Sequence, residues 1–372
     1  MKQQVVADIR SRFPALSEKV YGKPLVYLDN AATSQRPLAV ADKWRGVALG
    51  CNANIHRAVH NLAVRATDEY EAAREAVRAF IGAADVSEIV FTSGTTASIN
   101  LAAFSFGEAF VGKGDSVIVT EAEHHSNIVP WQMLCERKGA HLRVVKVSDD
   151  GYPDLDSLEA LLDGSVRIAA VTHVSNVLGI VNPVKEIVSL CHSKGVPVLV
   201  DGAQGIVHCD VDVADMDCDF YAFSGHKIYA ATGTGVLYAK KKWLEAMPPY
   251  MGGGEMIETV RWSGTTYAPV PARFEAGTQN ISGVPTLMPA LEIAQIFKNQ
   301  EIKKNIKEIT SYMLGALAED TRIHLYGNPV SVQDKVPVFS FSVEGAHHED
   351  LALILDKMGI AVRSGQMCAE PL

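Results

Sequence analysis

The sequence predicts an α/β protein in which a mostly parallel sheet forms a large domain and a smaller α+β domain follows it. Short β-branched runs alternate with helical stretches through the middle of the chain, and each run ends in small or polar residues. After about Gly283 this alternation gives way to longer helical patterns. Strands that alternate with helices are joined by crossovers, which place helices on both faces of a parallel sheet.

Six apolar runs are predicted to form the strands of this sheet. They cover residues 88–91, 116–119, 142–145, 168–171, 198–200 and 220–223. In such sheets, ligands bind outside the carboxyl ends of the strands. The residues that directly follow each run are therefore the first candidates for chemistry.

The remaining segments predict a smaller unit at the end of the chain. Its predicted elements are helices over 287–298 and 302–318, a strand over 338–343, a helix over 348–357 and a strand over 360–362. The first residues, up to about Arg12, predict a lone helix that packs on this unit. We therefore expect an N-terminal segment (residues 1–20), a large domain (21–282) and a small domain (283–372), with a glycine-rich loop at 252–254 as a weak boundary signal.

Composition excludes several classes of protein. The chain has 372 residues, of which 48% are hydrophobic and 21% charged, so it is not a disordered protein. A net charge of −9 leaves no broad basic surface for a nucleic acid. Because the sequence has neither a long apolar stretch nor an apolar targeting segment, we expect a cytoplasmic protein with no membrane partner.

The cysteines divide into a scattered group and one exception. No C-x-x-C pair is present, so neither a disulfide framework nor a zinc knuckle is predicted. Cys368 follows the last predicted strand, in a small polar loop that begins at Arg363, and a cysteine in this setting is a nucleophile as readily as a structural residue. The others are predicted core residues: Cys51, Cys135, Cys191, Cys209 and Cys218.

An amine and a carboxylate follow two of the predicted strands. Asp201 ends one run, and Lys227 closes the Ser-Gly-His-Lys stretch after another. A Gly94-Thr95-Thr96 turn opens a helix and offers backbone N–H groups and hydroxyls to a phosphate, although by itself it is better explained as an ordinary N-cap. Together these groups suit pyridoxal phosphate, with a lysine for its aldehyde, a carboxylate for its pyridine nitrogen and a cradle for its phosphate.

Paired imidazoles follow the strand at 116–119. His124 and His125 have no carboxylate or cysteine at a companion ligand spacing, so the sequence favours an imidazole stacked on a flat ring over a metal site. No metal is predicted. The sequence also contains neither a Gly-x-Gly-x-x-Gly fingerprint nor a P-loop, which excludes the usual nicotinamide and nucleotide sites.

Six motifs together resemble those of the SUF-type cysteine desulfurases, also described as selenocysteine lyases. These are class V aminotransferase-group enzymes of the fold-type I pyridoxal-phosphate transferases. The motifs are YLDNAA (27–32), SGTT (93–96), EHHSNIVPW (123–131), DGAQ (201–204), SGHK (224–227) and RSGQMCA (363–369). The resemblance implies a homodimer that takes sulfur from L-cysteine, leaving L-alanine, with the removal of selenium from selenocysteine as a second expected activity. The sulfur would form a persulfide for an acceptor protein in iron–sulfur cluster assembly.

The resemblance also implies roles around the cofactor. Lys227 would hold it covalently, Asp201 would pair with the pyridine nitrogen, Gln204 would donate to the phenolic oxygen and His124 would stack on the ring. The residues implied to hold the phosphate are Thr95, Thr96, Ser224 and His226.

The resemblance further implies roles around the substrate. Cys368 would carry the persulfide, and Asn176 would face the substrate carboxylate, with Arg363 as a second candidate. Thr278, in the stretch Arg-Phe-Glu-Ala-Gly-Thr, would reach the phosphate of the neighbouring subunit.

The sequence departs from the family pattern in two places. Family members carry histidines where this chain has Gln366 and Met367, and they continue beyond the position of Leu372 with a segment that supplies an arginine for the substrate carboxylate. We therefore expect this chain to bind pyridoxal phosphate and to show a high KM for cysteine. The alternatives are another class V reaction (aminotransfer, kynurenine cleavage or epimerisation) and a truncated, weakly active sulfur-transfer subunit.

Overall fold

The computed structural model describes residues 3–327, 329 and 331–372. Fifteen strands are present in these residues: β1 (Lys19–Val20), β2 (Lys23–Pro24), β3 (Val26–Tyr27), β4 (Ile89–Thr92), β5 (Ser116–Thr120), β6 (His141–Val145), β7 (Val166–Thr172), β8 (Val198–Asp201), β9 (Phe220–Ser224), β10 (Gly235–Ala239), β11 (Ile257–Arg261), β12 (Gly264–Tyr267), β13 (Ile323–Tyr326), β14 (Ser340–Val343) and β15 (Ile360–Ala361).

The same residues form thirteen α-helices: α1 (Gln3–Ser11), α2 (Leu38–Gly50), α3 (Asn61–Ile81), α4 (Thr95–Phe110), α5 (Val129–Lys138), α6 (Leu155–Leu161), α7 (Val184–Ser193), α8 (Gly205–His208), α9 (Val213–Met216), α10 (Lys241–Ala246), α11 (Leu287–Phe297), α12 (Gln300–Glu319) and α13 (His348–Lys357). No helix in the described part of the chain is long and apolar enough to cross a membrane.

Seven strands form the central sheet, in the order β4-β10-β9-β8-β7-β5-β6. All pairs are parallel except those of β10, which runs antiparallel to both β4 and β9. All six predicted strands are present, so the predicted α/β fold is confirmed. The antiparallel β10 was not predicted, because its sequence follows a Thr-Gly-Thr-Gly stretch that indicates a loop.

Alternating residues of the sheet pack into two separate cores. Val198 and Val200 of β8 belong to one core, whereas Leu199 belongs to the other with Phe106 and Trp131. Successive side chains of a strand point to opposite faces of the sheet. Because helices cover both faces, the strands are apolar on both sides, which is why they appear in the sequence as continuous runs.

The last third of the chain contains the predicted helices and strands, with small shifts in their ends. α11, α12 and α13 correspond to the three predicted helices, and β14 begins at Ser340, two residues later than predicted. β13 pairs antiparallel with β14, while β15 pairs in parallel with β3. The β15–β3 pairing joins the segment that follows α13 to the segment before α2. The domain boundaries at residues 20 and 282 stay a prediction.

A β-hairpin of β11 and β12 was not predicted from the sequence. Its strands pair antiparallel, and every residue of β12 is exposed. A hairpin with no buried face has no alternating apolar pattern, and this is the signal on which strand prediction depends.

Candidate active site

Asp201 and Lys227 lie at neighbouring strand ends of the central sheet, as predicted. Asp201 is the last residue of β8, and its parallel neighbour β9 ends at Ser224, three residues before Lys227. Asp201 is 3% exposed, and burial raises the pKa of its carboxyl group. Burial also lowers the pKa of the Lys227 amine, an effect that the negative charge of Asp201 partly opposes. A lowered pKa increases the neutral, nucleophilic fraction of an amine.

The turn between β4 and α4 lies beside the end of β9. Ser224 Oγ accepts a hydrogen bond from the Thr95 backbone N–H at 2.7 Å and lies 2.7 Å from Thr95 Oγ1. Gly94 has a φ of 152°, and a Cβ on Gly235 of the adjacent β10 would lie 2.3 Å from the Gly94 Cα atom. Two glycines therefore let β10 approach the start of α4, which brings its N-terminal hydroxyls to the strand ends.

Gln204 and His226 face the segment that carries the Tyr-Leu-Asp-Asn-Ala-Ala motif. The Gln204 side-chain amide donates to the Ala31 carbonyl oxygen at 2.7 Å. His226 Nδ1 lies 3.2 Å from Thr33 Oγ1, and the His226 carbonyl oxygen accepts from Ser34 Oγ at 2.9 Å. These contacts hold the 27–34 segment against the end of β9. Thr96 is exposed, with its Oγ1 atom 2.7 Å from Ser126 Oγ.

His124 lies in the loop between β5 and α5, with its Nδ1 accepting from the Ser126 backbone N–H at 3.0 Å. Burial, and then the positive charge of Lys227, lower the pKa of His124 to about 4. The imidazole is therefore uncharged at neutral pH, which suits stacking on an aromatic ring. The preceding Glu123 is completely buried, and burial raises its carboxyl pKa to about 8.

Glu123 fixes to the sheet the loop of residues 121–128 between β5 and α5, which we call the histidine loop. One carboxyl oxygen accepts from the Thr172 backbone N–H at 2.9 Å and the other from the Asn127 side-chain amide at 2.7 Å. Thr172 is paired in register with Asp201. The position of His124 is thereby tied to the strand end that carries the aspartate.

The loop that carries Cys368 packs against the histidine loop. The His125 backbone N–H donates to the Cys368 carbonyl oxygen at 2.7 Å, and His125 Nε2 accepts from the Glu370 N–H at 3.0 Å. Cys368 is exposed, and both Met367 and Cys368 have left-handed backbones, with φ of 52° and 58°. The loop that carries the exposed thiol is in this way fixed to the histidine loop.

The two predicted substrate-binding residues make contacts within the protein. The Asn176 amide donates to the Met367 carbonyl oxygen at 2.7 Å. Arg363 forms a bidentate ion pair with Asp29, with distances of 2.9 and 3.1 Å. Both residues hold the Cys368 loop, and their roles toward a substrate stay predictions. Thr278 is exposed, and its role toward a neighbouring subunit also stays a prediction.

Sequence interpretation missed Asp29 and Glu123 as contributors to this site, and it gave His125 no role beyond its place in the imidazole pair. Each lies inside a recognised motif, and that position was the only signal available. The partner of Asp29 is 334 residues away in the chain, so no local pattern indicates the ion pair.

The chemistry of these groups fits pyridoxal phosphate. Asp201 is buried, and one of its oxygens accepts from the Ala203 N–H at 2.9 Å. Its neighbours in the described residues include no side-chain cation that forms an ion pair with it, so a protonated pyridine nitrogen would provide the missing positive partner. In the described residues no group of three or more His, Cys, Asp or Glu could hold a metal ion.

Comparisons with known proteins agree with this chemistry. The family described as aminotransferase class-V matches residues 26–372. A cysteine desulfurase of Dickeya dadantii (strain 3937) is 48% identical over 365 residues, covering 98% of this chain and 88% of that protein. The crystal structure of the cysteine desulfurase CsdA from Escherichia coli matches with a TM-score of 0.86 at 38% identity, and it covers 98% of this chain and 89% of that one.

An apo structure of a cysteine desulfurase from Thermococcus onnurineus NA1 matches with a TM-score of 0.91 at 36% identity, again covering 98% of this chain and 89% of that one. The chain therefore belongs to the class V aminotransferase family. Its fold is that of the pyridoxal-phosphate-dependent cysteine desulfurases, and its cofactor is pyridoxal phosphate.

Proposed function

We propose that this protein is a cysteine desulfurase in which Cys368 accepts the sulfur of L-cysteine and releases L-alanine. The observation that carries the proposal is the exposed Cys368 thiol on a loop bonded to the histidine loop at the end of the central sheet. An aminotransferase has no use for a thiol at this place. The curated relatives, named cysteine desulfurases at 46–48% identity, support the same activity.

The residues around the cofactor would divide the work of binding it. Lys227 would hold it covalently and Asp201 would keep its pyridine nitrogen protonated. Thr95 and Ser224 would bind the phosphate at the N-terminus of α4, and uncharged His124 would stack on the ring. Bound in this way, pyridoxal phosphate supplies an electron sink for the bonds at the substrate Cα atom.

Two residues of the protein would take part directly in the reaction: Lys227 as the base and Cys368 as the nucleophile. The Lys227 amine, once freed by substrate, removes the Cα proton, and its lowered pKa favours the neutral form that this step needs. The Cys368 thiolate then attacks the substrate sulfur. A sulfur–sulfur bond forms, the carbon–sulfur bond breaks with its electron pair left on the substrate carbon, and a proton added there gives alanine.

The proposal extends to partners and location. We propose a homodimer in which Thr278 contributes to the neighbouring site, an acceptor protein that takes the persulfide into iron–sulfur cluster assembly, and selenocysteine as a second substrate. We also propose that the enzyme works in the cytoplasm, since an exposed carrier thiol needs a reducing compartment.

Alanine release is the decisive experiment. Protein loaded with pyridoxal phosphate is incubated with L-cysteine, and alanine and sulfide are measured with and without a thiol reductant. We expect one alanine per sulfide when the reductant is present, and roughly a single turnover without it. A Lys227→Ala variant serves as the inactive control. Formation of a keto acid, with transfer of the amino group, would instead identify an aminotransferase.

A further inference from the structure

Lys335 is a buried lysine in the segment between β13 and β14. Lys335 is 5% exposed, and burial lowers the pKa of its amine to about 8. The Nζ atom donates to the carbonyl oxygens of Leu178 and, at 3.1 Å, Gly327. None of the described residues forms an ion pair with Lys335. The Nζ atom also lies 5.8 Å from the centroid of the Phe339 ring. Burying an amine without an anionic partner costs free energy, so the contacts of this amine must stabilise something that offsets the cost.

The segment around Lys335 pairs with the turn that follows β7. Lys335 forms a β-bridge with Ile180, and the Val336 N–H donates to the Gly179 carbonyl oxygen at 2.9 Å. Ser340 Oγ donates to the Val177 carbonyl oxygen at 2.6 Å. One side of the turn at residues 175–180 is in this way fixed to the segment that leads into β14.

The other side of the same turn carries Asn176. The Asn176 amide donates to the Met367 carbonyl oxygen, one residue before the candidate sulfur carrier Cys368. The carbonyl group that binds the lysine belongs to Leu178, two residues after Asn176. Left-handed backbones such as those of Met367 and Cys368 are costly for residues with a side chain and persist only where surrounding contacts hold them.

We propose that Lys335 is a positioning residue for the Cys368 loop, acting through the 175–180 turn and the Asn176 amide. This inference rests on the proposed function for its importance in catalysis, but the mechanical link is testable without activity. The Lys335 amine donates to the Leu178 carbonyl oxygen and so fixes the turn. Asn176, in the same turn, donates to the Met367 carbonyl oxygen and so fixes the backbone before the reactive thiol.

Hydrogen–deuterium exchange of the loop tests this link in the cofactor-loaded protein. Lys335→Met removes the amine and keeps the apolar stem. We expect exchange of the 363–372 peptide to rise by about threefold to tenfold, and Asn176→Ala to produce a similar rise. Because both substitutions break the same chain of contacts, the double variant should exchange no faster than the faster single variant. Lys335→Arg, which retains donors for carbonyl oxygens, should restore most of the protection.

Lys240 provides a control away from the loop: its Nζ atom also donates to a carbonyl oxygen, that of Asp217, at 2.8 Å, and in addition forms an ion pair with the Asp217 carboxylate. Lys240→Met should leave the 363–372 peptide unchanged. If Lys335→Met does not fold, Lys335→Gln takes its place, since its amide can still fill part of the site. Native exchange of this peptide in folded Lys335→Met, or in Lys335→Gln where that variant replaces it, would overturn the inference, as would additive effects in the double variant. Absence of alanine release from the unsubstituted protein, whatever the exchange of this peptide in the variants, would count against the proposed function instead.

Discussion

The protonation states of the residues around the cofactor site depend on their positions at the ends of the sheet strands. Asp201, Lys227 and His124 all lie near strand ends, where burial shifts their pKa values toward the uncharged form. In solution, each of these groups would ionise near its ordinary pKa. The common physical cause is desolvation, which disfavours the charged form of each group. The bound cofactor would supply charges that interact with these buried groups.

Substitution of Cys368 separates cofactor binding from sulfur transfer. Cys368→Ala should keep the absorbance of bound pyridoxal phosphate, because the hydrogen bonds between Thr95 and Ser224 do not involve the thiol. It should lower alanine release from cysteine by about a hundredfold or more, since the nucleophile is lost.

The matched control for this variant is Cys209→Ala, which removes a half-buried cysteine elsewhere and should retain native turnover. Borohydride reduction and peptide mapping of both variants should still place the cofactor on Lys227. Normal turnover of Cys368→Ala would show that the thiol is structural.

A buried histidine behind the site predicts the pH dependence of stability. His173 is 5% exposed, its Nδ1 lies 3.0 Å from Tyr221 Oη, and burial lowers its pKa to about 4 from an ordinary value of 6.5. Above pH 6.5 the histidine is neutral in both states and its contribution is complete. As the pH falls from 6.5 to about 4, only the unfolded chain takes up the proton, so stability falls by up to about 1.4 kcal/mol per pH unit.

Urea unfolding of the apoprotein between pH 7 and pH 4.5 measures this effect. His173→Gln should make the decline in unfolding free energy less steep by up to this amount, because one titrating group is gone while a polar neighbour for Tyr221 remains. His124 and His208, whose pKa values burial also lowers to about 4, should maintain the rest of the slope. His141→Gln, at an exposed position at the start of β6, should leave the slope as in the native protein. Equal slopes for His173→Gln and the native protein would contradict the assignment.

The elements around the site are joined by a buried ion pair that the sequence does not indicate. Arg74 of α3 binds Glu275 through two hydrogen bonds of 2.7 and 3.0 Å, and Glu275 also accepts from the Phe91 N–H of β4 at 2.7 Å. Burial opposes the charge of Arg74, but Glu275 more than offsets it, so the pKa of Arg74 is raised. The pair fixes the segment that carries Thr278 against α3 and β4.

Loss of Glu275 should strongly destabilise the protein. Glu275→Gln leaves the buried Arg74 guanidinium with the partly exposed Glu71 carboxylate, 2.9 Å away, as its remaining ion-pair partner among the described residues. The unfolding free energy should fall by about 1.5 to 3 kcal/mol. Urea unfolding at a fixed protein concentration measures the change. Asp42→Asn breaks the exposed ion pair of Asp42 with Arg45 and is the matched control, with an expected change of about 0.5 kcal/mol or less. A small effect of Glu275→Gln would mean that water reaches the pair.

The elements also show what a sequence can and cannot predict. The six buried strands were predicted because burial on both faces produces uninterrupted apolar runs, and Asp201 and Lys227 were found because they follow such runs. The exposed β11–β12 hairpin leaves no such pattern. The Arg363–Asp29 and Arg74–Glu275 pairs join residues far apart in the chain, and only the folded structure brings them together.

At the scale of the whole molecule, exposed apolar side chains support the proposed homodimer. Val59 and Trp262 are almost completely exposed, and Leu49 is 83% exposed. They lie in the segment between α2 and α3, in the β11–β12 hairpin and near the end of α2. Large apolar groups on the surface commonly mark sites of protein association. We therefore expect sedimentation to show a particle of two chains, each of 40.2 kDa.

Hybrid dimers test whether Thr278 serves the neighbouring site. A Lys227→Ala chain is combined with a Thr278→Ala chain, and the hybrid is purified through two different affinity tags. If Thr278 acts across the interface, one site of the hybrid has both native residues and the other has neither. At limiting pyridoxal phosphate, the hybrid should then recover up to about half of the native cofactor binding and alanine release, because one of two sites is intact. If Thr278 acts within its own chain, each site keeps one lesion, and the hybrid will not exceed the average of its parents.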